Sequence, residues 1–129
     1  MTEARPPKIL SVGQCGFDGP AIKRQLRDGL NASVVDADSH DDALAVLDTQ
    51  DFDLVLVNRI FDGTGEQGLD LIREVAGRGG PPVMMVSNYE DAQAAAEQAG
   101  GVRGFGKKQL GSPAVVETVA SAVEATRTT

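Results

Sequence analysis

One neutral side chain stands where an α/β protein usually places its chemistry. Phe52 to Asn58 is a short, almost uninterrupted apolar run, which is typical of a strand buried on both faces. Asn58 closes this run at the carboxyl end of the predicted central strand, and open α/β sheets place their sites at that edge. A carboxamide donates and accepts hydrogen bonds, but it carries no charge and is a poor nucleophile. The sequence therefore poses the question of what an amide does at this position.

Three aspartates are the candidates for a cation site near Asn58. Asp36 and Asp38 follow the second predicted strand, which ends on the same edge of the sheet, and Asp62 lies in the loop after Asn58. Carboxylate oxygens are ligands that hard cations such as Mg²⁺ prefer. Aspartates at helix starts and turns, however, usually serve as caps or solvated loop residues. The capping interpretation is preferred, and no metal site is predicted.

Cys15 and His40 are the only cysteine and the only histidine of the chain. They exclude an intramolecular disulfide and a multi-histidine metal site. Cys15 is predicted to be inert, because the sequence places no histidine or lysine beside it, and His40 is predicted to be a surface residue. Gly13, Gly16 and Gly19 match neither a Walker A loop nor a dinucleotide fingerprint, so turn formation explains them better.

Five strands and five helices are needed to position these residues. Short apolar runs predict the strands Lys8–Val12, Ala32–Val35, Phe52–Asn58, Val83–Ser87 and Val102–Lys107. The last run is rich in glycine, and its assignment rests on its place in the alternation. The predicted helices begin near Asp18, after an N-cap at Ser39, near Leu69, at Asn88 and after an N-cap at Ser112. The fourth of these runs to Ala99, and its apolar residues beyond Tyr89 are alanines.

Strict alternation of strands and helices predicts one α/β domain. We expect a flavodoxin-like three-layer (βα)5 sandwich with a parallel sheet in the order 2-1-3-4-5. In that order the switch point lies between strands one and three, so the loops after Val12 and Val57 form the crevice. The predicted boundaries are a flexible tail over residues 1–7, a domain over 8–125, and a tail or linker start over 126–129.

The composition excludes several classes of function. The chain has 129 residues and a net charge of -7, which argues against binding to nucleic acid because phosphate contact requires a basic face. No segment approaches the roughly 20 apolar residues that cross a bilayer, and the first residues lack the apolar core of a signal peptide. We therefore expect a cytoplasmic protein that neither binds nucleic acid nor associates with a membrane.

Landmarks along the chain resemble those of bacterial response-regulator receiver domains, the CheY-like family. In that family the third strand is apolar and ends in a phosphoacceptor aspartate, as Asp53 to Asn58 does with an amide in the acceptor place. A Gly-Leu pair follows, here Gly68-Leu69. The fourth strand ends in a hydroxyl residue, here Ser87, and the fifth carries Gly-aromatic-x-x-Lys, here Gly104 to Lys108. The resemblance covers about residues 8–125.

The resemblance assigns a role to each of these positions. Asn58 would replace the phosphoacceptor, and Gly13 and Gln14 would replace the acidic residues that close strand one. Ser87 and Lys108 would be the retained switch pair, with Lys107 as a competitor for the lysine position. In the same pattern, Phe105 would be the aromatic residue of the output face, and Gln109 replaces the proline usual after the lysine.

These departures predict the loss of phosphoryl chemistry. Asn58 cannot form an acyl phosphate, and Gly13, Gln14 and Asn58 together remove three anionic ligands that would hold Mg²⁺. Lys108 would then have no compensating carboxylate. We expect either hydrogen bonds among Lys108, Ser87 and Asn58 or a pocket that holds a small anion.

The leading hypothesis is an atypical, phosphorylation-independent receiver-like signalling module, with no enzymatic activity and no cofactor. It would act by protein contact, with a histidine kinase, an output domain or a second copy as the partner. The resemblance points to the face of helix four, strand five and helix five as the contact surface.

Two alternatives remain open. The chain could be a flavodoxin-like binder of a small anionic ligand or nucleotide, in the crevice between Gly13–Gly19 and Arg59–Gly68, whose long second loop is the supporting feature. A weaker alternative is an active receiver that uses Asp62 as its phosphoacceptor.

Overall fold

The computed structural model describes residues 5–127, which form one sheet covered by helices on both faces. The strands are β1 (Lys8–Val12), β2 (Ser33–Ala37), β3 (Leu54–Asn58), β4 (Val83–Val86) and β5 (Val102–Phe105). The α-helices are α1 (Asp18–Leu30), α2 (His40–Thr49), α3 (Gly68–Gly77), α4 (Glu90–Gln98) and α5 (Pro113–Arg127), and a 3-10 turn spans Lys107–Gln109. None of the helices in this part of the chain is long and apolar enough to cross a membrane.

The sheet is parallel throughout, in the order β2-β1-β3-β4-β5. This confirms the flavodoxin-like order and the (βα)5 architecture predicted from the alternation of elements. β3 is central and all five of its residues are buried, as its apolar run predicts. Because Val12 pairs with Val57, Asn58 extends one residue beyond the end of β1. Its side chain therefore meets the loop that follows β1.

Alternate residues of the strands build two aliphatic cores. On one face, Ile9, Leu54 and Leu56 pack with apolar residues of α1 and α5. On the other face, Leu10, Val55 and Val57 pack with apolar residues of α2, α3 and α4. Burial of these side chains supplies the main stabilising free energy, at about 25 cal/mol per Å² of apolar surface.

The ends of the chain pack more closely than the sequence predicts. Pro7 is buried, and its carbonyl accepts a hydrogen bond from the Ser33 N–H at 2.9 Å. α5 continues to Arg127, whose guanidinium lies 3.2 Å from a carboxylate oxygen of Asp53. The same oxygen accepts the Lys8 N–H at 2.9 Å. Pro7 and Arg127 thus contact the folded domain, whereas residues 5 and 6 are exposed and residues 1–4 and 128–129 lie outside the described residues. The domain boundaries at 8 and 125 stay predictions.

Element boundaries differ from the prediction mainly at the β5 edge. The fifth strand ends at Phe105, and the 3-10 turn at Lys107–Gln109 was not predicted. β5 pairs only with β4, and the register shifts between Met84 and Val86. An edge strand with an irregular ladder makes few hydrogen bonds that would keep the chain extended. The last residues of the predicted strand therefore enter a turn. Ser39 caps α2 as predicted, since its side chain accepts the Asp42 N–H at 3.0 Å.

Gln93 replaces backbone hydrogen bonds at this irregular edge. Its side chain lies on α4 and is buried. Its Nε2 donates to the carbonyls of Met85 at 2.9 Å and Ser87 at 3.1 Å, and its Oε1 accepts the Gly104 N–H at 2.9 Å. One amide thus joins α4, β4 and β5 where the ladder is interrupted. α4, whose apolar residues are alanines, is therefore also held by a buried polar side chain.

We predict that Gln93→Ala lowers the free energy of unfolding by about 2 to 3 kcal/mol, because buried backbone groups lose their partners. Urea denaturation measures the change. Gln98→Ala is the matched control, because Gln98 is exposed on the same helix and its replacement should change stability by less than about 0.5 kcal/mol. Equal stability of the two variants would contradict the bridging role.

Candidate functional site

Asn58 is buried at the carboxyl end of β3, and both polar atoms of its side chain have partners. The Nδ2 donates to the Gly13 carbonyl at 3.0 Å, and the Oδ1 accepts the Arg59 N–H at 2.9 Å. These partners determine the orientation of the amide, because one is an acceptor and the other a donor. The side chain therefore ties β3 to the loop after β1 and offers no anionic oxygen to the solvent.

Gly13 cannot carry the side chain that an acidic site would require. Its φ is +72°, in the left-handed region that glycine tolerates, and a Cβ built there would overlap the ring of Phe61. Phe61 is fully buried. The Gly13 carbonyl also accepts the Asp62 N–H at 3.0 Å, so the loop after β3 closes over this glycine. The space beside Gly13 is filled by an apolar ring.

Gln14 does not join Asn58. Its side chain lines a separate cavity on the other side of β1, together with Asp36 and Asp38. These two aspartates are therefore not at the Asn58 site, and Asp36 forms an ion pair with Lys23 at 2.8 Å. Within residues 5–127, no group of three or more histidine, cysteine or acidic side chains has the geometry to hold a metal ion.

The lysine at the site is Lys107 rather than Lys108. Lys107 lines the cavity that contains Asn58 and Ser87, and its Nζ lies 3.0 Å from a carboxylate oxygen of Asp18. Lys108 lines a neighbouring cavity, and its backbone N–H donates to the Oδ1 of Asn88 at 2.9 Å. The assignment of Lys108 beside Asn58 is thus corrected, because the 3-10 turn directs consecutive side chains to different places.

The expected hydrogen bonds among lysine, serine and amide are also replaced by others. Ser87 is buried at the end of β4, and its Oγ accepts the Tyr89 N–H at 3.2 Å. Asn58 bonds to the backbone, and the lysine that faces the cavity pairs with Asp18. The charge of Lys107 is therefore compensated by Asp18, although the sequence predicts a lysine without a compensating carboxylate. Phe105 is buried in the core below.

The cavity that holds Asn58, Ser87 and Lys107 has a volume of about 450 Å³. The remaining polar and charged groups around it come from the loops, and Arg59 stacks on the ring of Tyr89, 5.2 Å from its centroid. Asp62 also lines the cavity, and its carboxylate is exposed. With hydroxyl, amide and cationic groups on its wall, the cavity is suited to recognition by hydrogen bonds and ion pairs.

Cys15 and His40 have structural partners. The Sγ of Cys15 accepts the Asp18 N–H at 3.3 Å, at the start of α1. The His40 backbone N–H donates to Glu66 at 3.0 Å, and the ring Nε2 lies 3.4 Å from Glu74. The hydrogen bond from the His40 N–H, followed by one from the Thr64 hydroxyl, lowers the pKa of Glu66. These contacts hold the long loop after β3 against the start of α2.

Three solved structures resemble the chain over nearly its whole length. NtrX from Brucella abortus has a TM-score of 0.84 at 21% identity, over 95% of this chain and 28% of NtrX. The receiver domain of the Francisella response regulator 1452 has a TM-score of 0.77 at 15% identity, over 93% and 98%. A response regulator from Thermotoga maritima has a TM-score of 0.78 at 24% identity, over 93% and 99%. No family model and no curated protein matches the sequence.

The chain has the receiver fold. It spans 28% of the length of NtrX and is similar in extent to the other two proteins. Within this receiver fold, Asn58, Ser87 and Lys107 meet in one cavity, whereas Gln14 and Lys108 face others.

Two residues at the receiver-fold cavity are not predicted from the sequence. Phe61 lines the cavity, whereas Asp18 lies outside its lining and is connected to it through the ion pair with Lys107. The sequence indicates only a helix start at Asp18, because its approach to Lys107 depends on how the loop before α1 meets the 3-10 turn after β5. Phe61 belongs to a loop with turn residues on both sides, which predicts exposure. The isolated aromatic residue beside Asp62 was the available signal that this loop folds back on the sheet.

We predict that Asn58→Asp destabilises the protein by about 3 kcal/mol at pH 7, because a carboxylate oxygen would face the Gly13 carbonyl in a buried position. The pKa of the introduced acid should be raised, so the destabilisation should grow as the pH rises above the unfolded value. At pH 4 the protonated acid can donate to the Gly13 carbonyl, and the loss should be smaller. Urea denaturation at pH 7 and pH 4 measures the change in the free energy of unfolding.

Asn88→Asp is the matched control for this prediction. Asn88 is exposed at the edge of the same cavity, and its Oδ1 only accepts a hydrogen bond, which a carboxylate also does. It should therefore keep the stability of the unsubstituted protein at both pH values. An Asn58→Asp variant as stable as Asn88→Asp at pH 7 would show that the Asn58 amide donates no important hydrogen bond.

Proposed function

We propose that this chain is a receiver-like signalling module that acts by protein contact and without phosphorylation. The observation that carries the proposal is the use of the Asn58 amide as an internal tie to Gly13 and Arg59. Acyl phosphate formation requires a carboxylate that can attack a phosphoryl group. An amide whose two polar atoms are already engaged does not supply it.

The surroundings of Asn58 support the same proposal. Phosphoryl transfer to an aspartate depends on a metal ion that bridges the phosphoryl oxygens. Phe61 fills the space beside Gly13, and Gln14 faces a different cavity, so neither position contributes an anionic ligand. The receiver fold is preserved around a site that lacks the required acids.

Two observations bear on the alternatives. Asp62 lines the same cavity as Asn58, but it lies in the loop after β3 and is exposed. Arg59 and Lys107 would favour a bound anion, yet Lys107 is paired with Asp18 and Arg59 stacks on Tyr89. Lys107 is thus already compensated by a carboxylate, which reduces the support for a bound small anion.

The face formed by α4, β5 and α5 is proposed as the contact surface. On it, Arg103 forms hydrogen bonds of 2.8 Å with Glu90 and of 2.8 and 3.1 Å with Glu97. The pKa of Glu90 is lowered by its hydrogen bonds with the Arg103 guanidinium. Val102 is an exposed apolar residue beside them. An exposed arginine that is held in place and adjoins apolar surface is typical of interface anchors.

We predict that the full chain gains no phosphoryl group when incubated with Mg²⁺ and acetyl phosphate, as measured by intact-mass spectrometry. Asn58→Asp should also remain unmodified, because Gly13 and Gln14 supply no metal-binding carboxylate. Modification of the unsubstituted chain would contradict the proposal. If Asp62→Asn abolished that modification, Asp62 would be identified as the acceptor.

We further predict that Arg103→Glu reduces recovery of the protein partner, or of a second copy, by about tenfold or more, as expected for a central interface arginine. Cross-linking in extracts of the native host, followed by quantitative mass spectrometry, measures recovery. Arg73→Glu is the matched control, because Arg73 is exposed on α3 and pairs with Asp70 at 3.4 Å. Equal recovery with both variants would show that the contact surface lies elsewhere.

A further inference from the structure

A second cavity lies on the other side of β1 from Asn58. Its volume is about 330 Å³, which is at the small end of ligand sites in proteins. Ser11 of β1 and Gln14 of the following loop line it, and the first turns of α1 cover it. Asp36, near the end of β2, and Asp38, just after β2, form its rim. It is separate from the cavity of the proposed function, and the inference below does not depend on that function.

Two of the residues that line this cavity carry three buried polar atoms without a hydrogen-bond partner in residues 5–127. They are the Oγ of Ser11 and both polar atoms of the Gln14 amide. Ser11 is 1% exposed. Buried polar groups in folded proteins nearly always have hydrogen-bond partners, because a buried group without a hydrogen bond lowers the stability of the fold. Elsewhere in the molecule the buried amides of Asn58 and Gln93 follow this rule, so Ser11 and Gln14 stand out.

The rim of the cavity carries a net negative charge. Asp36 and Asp38 are both exposed there, and Lys23 is the lining cation, paired with Asp36 at 2.8 Å. The lining therefore has two carboxylates and one cationic side chain, which leaves a net charge of one negative unit. Within residues 5–127, no group of three or more histidine, cysteine or acidic side chains could hold a metal ion. Because one or two carboxylates with water can still bind Mg²⁺, the charge alone favours a cation without selecting its kind. The buried hydroxyl of Ser11 and the amide of Gln14 beside the carboxylates favour an organic cation that also forms hydrogen bonds.

We propose that this cavity binds a small organic cation that also carries a hydroxyl or amide group. The cationic group faces Asp38 and Asp36, and the polar group bonds to Ser11 and Gln14. The Gln14 side chain must rotate to admit it, since its amide is closed off from solvent and is held there by no hydrogen bond. Binding then supplies hydrogen bonds to the polar atoms of Ser11 and Gln14, which have no partner among residues 5–127.

Ethanolamine is a suitable probe, with ethylene glycol and glycolate as its neutral and anionic counterparts. In an NMR titration of the ¹⁵N-labelled full chain, ethanolamine should shift the Gln14 side-chain amide and the Ser11 and Asp38 backbone amides in a saturable way. Asp38→Asn should weaken the binding about three- to fivefold, as expected for one exposed ion pair. Asp41→Asn, an exposed change of the same kind at the start of α2, should leave it unchanged.

Several outcomes would overturn the proposal. Equal shifts with ethanolamine and ethylene glycol would show that charge is not recognised, and shifts with Mg²⁺ but not with ethanolamine would identify a metal site instead. If no probe moved the Gln14 amide while a long-lived water gave an NOE to it, the cavity would be a hydration site.

Discussion

The hydrogen bond from the Asn58 amide to the Gly13 carbonyl is the interaction on which the site depends. Asn58 ends the central strand, whose residues are all buried, and extends past the end of β1, so its side chain has to meet the loop after β1. A neutral amide satisfies a carbonyl on one side and an N–H on the other without a buried charge. With Phe61 packed against Gly13, the two loops form one unit.

This arrangement changes what the carboxyl edge of a receiver fold can do. A cluster of carboxylates would hold a cation and react with phosphoryl groups, whereas here Asp62 is the lining carboxylate and Lys107 is paired with Asp18. Ser87 and Asn58 lie on the wall of the cavity. This polar lining is the basis of the proposal that the protein acts by contact.

The β5 edge combines a buried neutral bridge with an exposed charged one. Gln93 joins α4, β4 and β5 from inside, so the edge is rigid despite its irregular ladder. Arg103 joins α4 and β5 from outside through Glu90 and Glu97. Exposed ion pairs contribute little to stability and are screened by salt. The outer bridge is therefore expected to contribute little to the free energy of unfolding, which is consistent with the proposed role of Arg103 in protein contact.

Local periodicity and short-range turn chemistry are enough to predict the fold class, the order of elements, the central strand and the Ser39 cap. They also predict that Asn58 and Ser87 lie at strand ends. The sequence pattern does not predict which lysine reaches the cavity, that Gln14 faces away from Asn58, or that Phe61 fills the space beside Gly13. The direction of a loop side chain depends on strand register and on contacts with residues distant in the chain, and neither is encoded in local pattern.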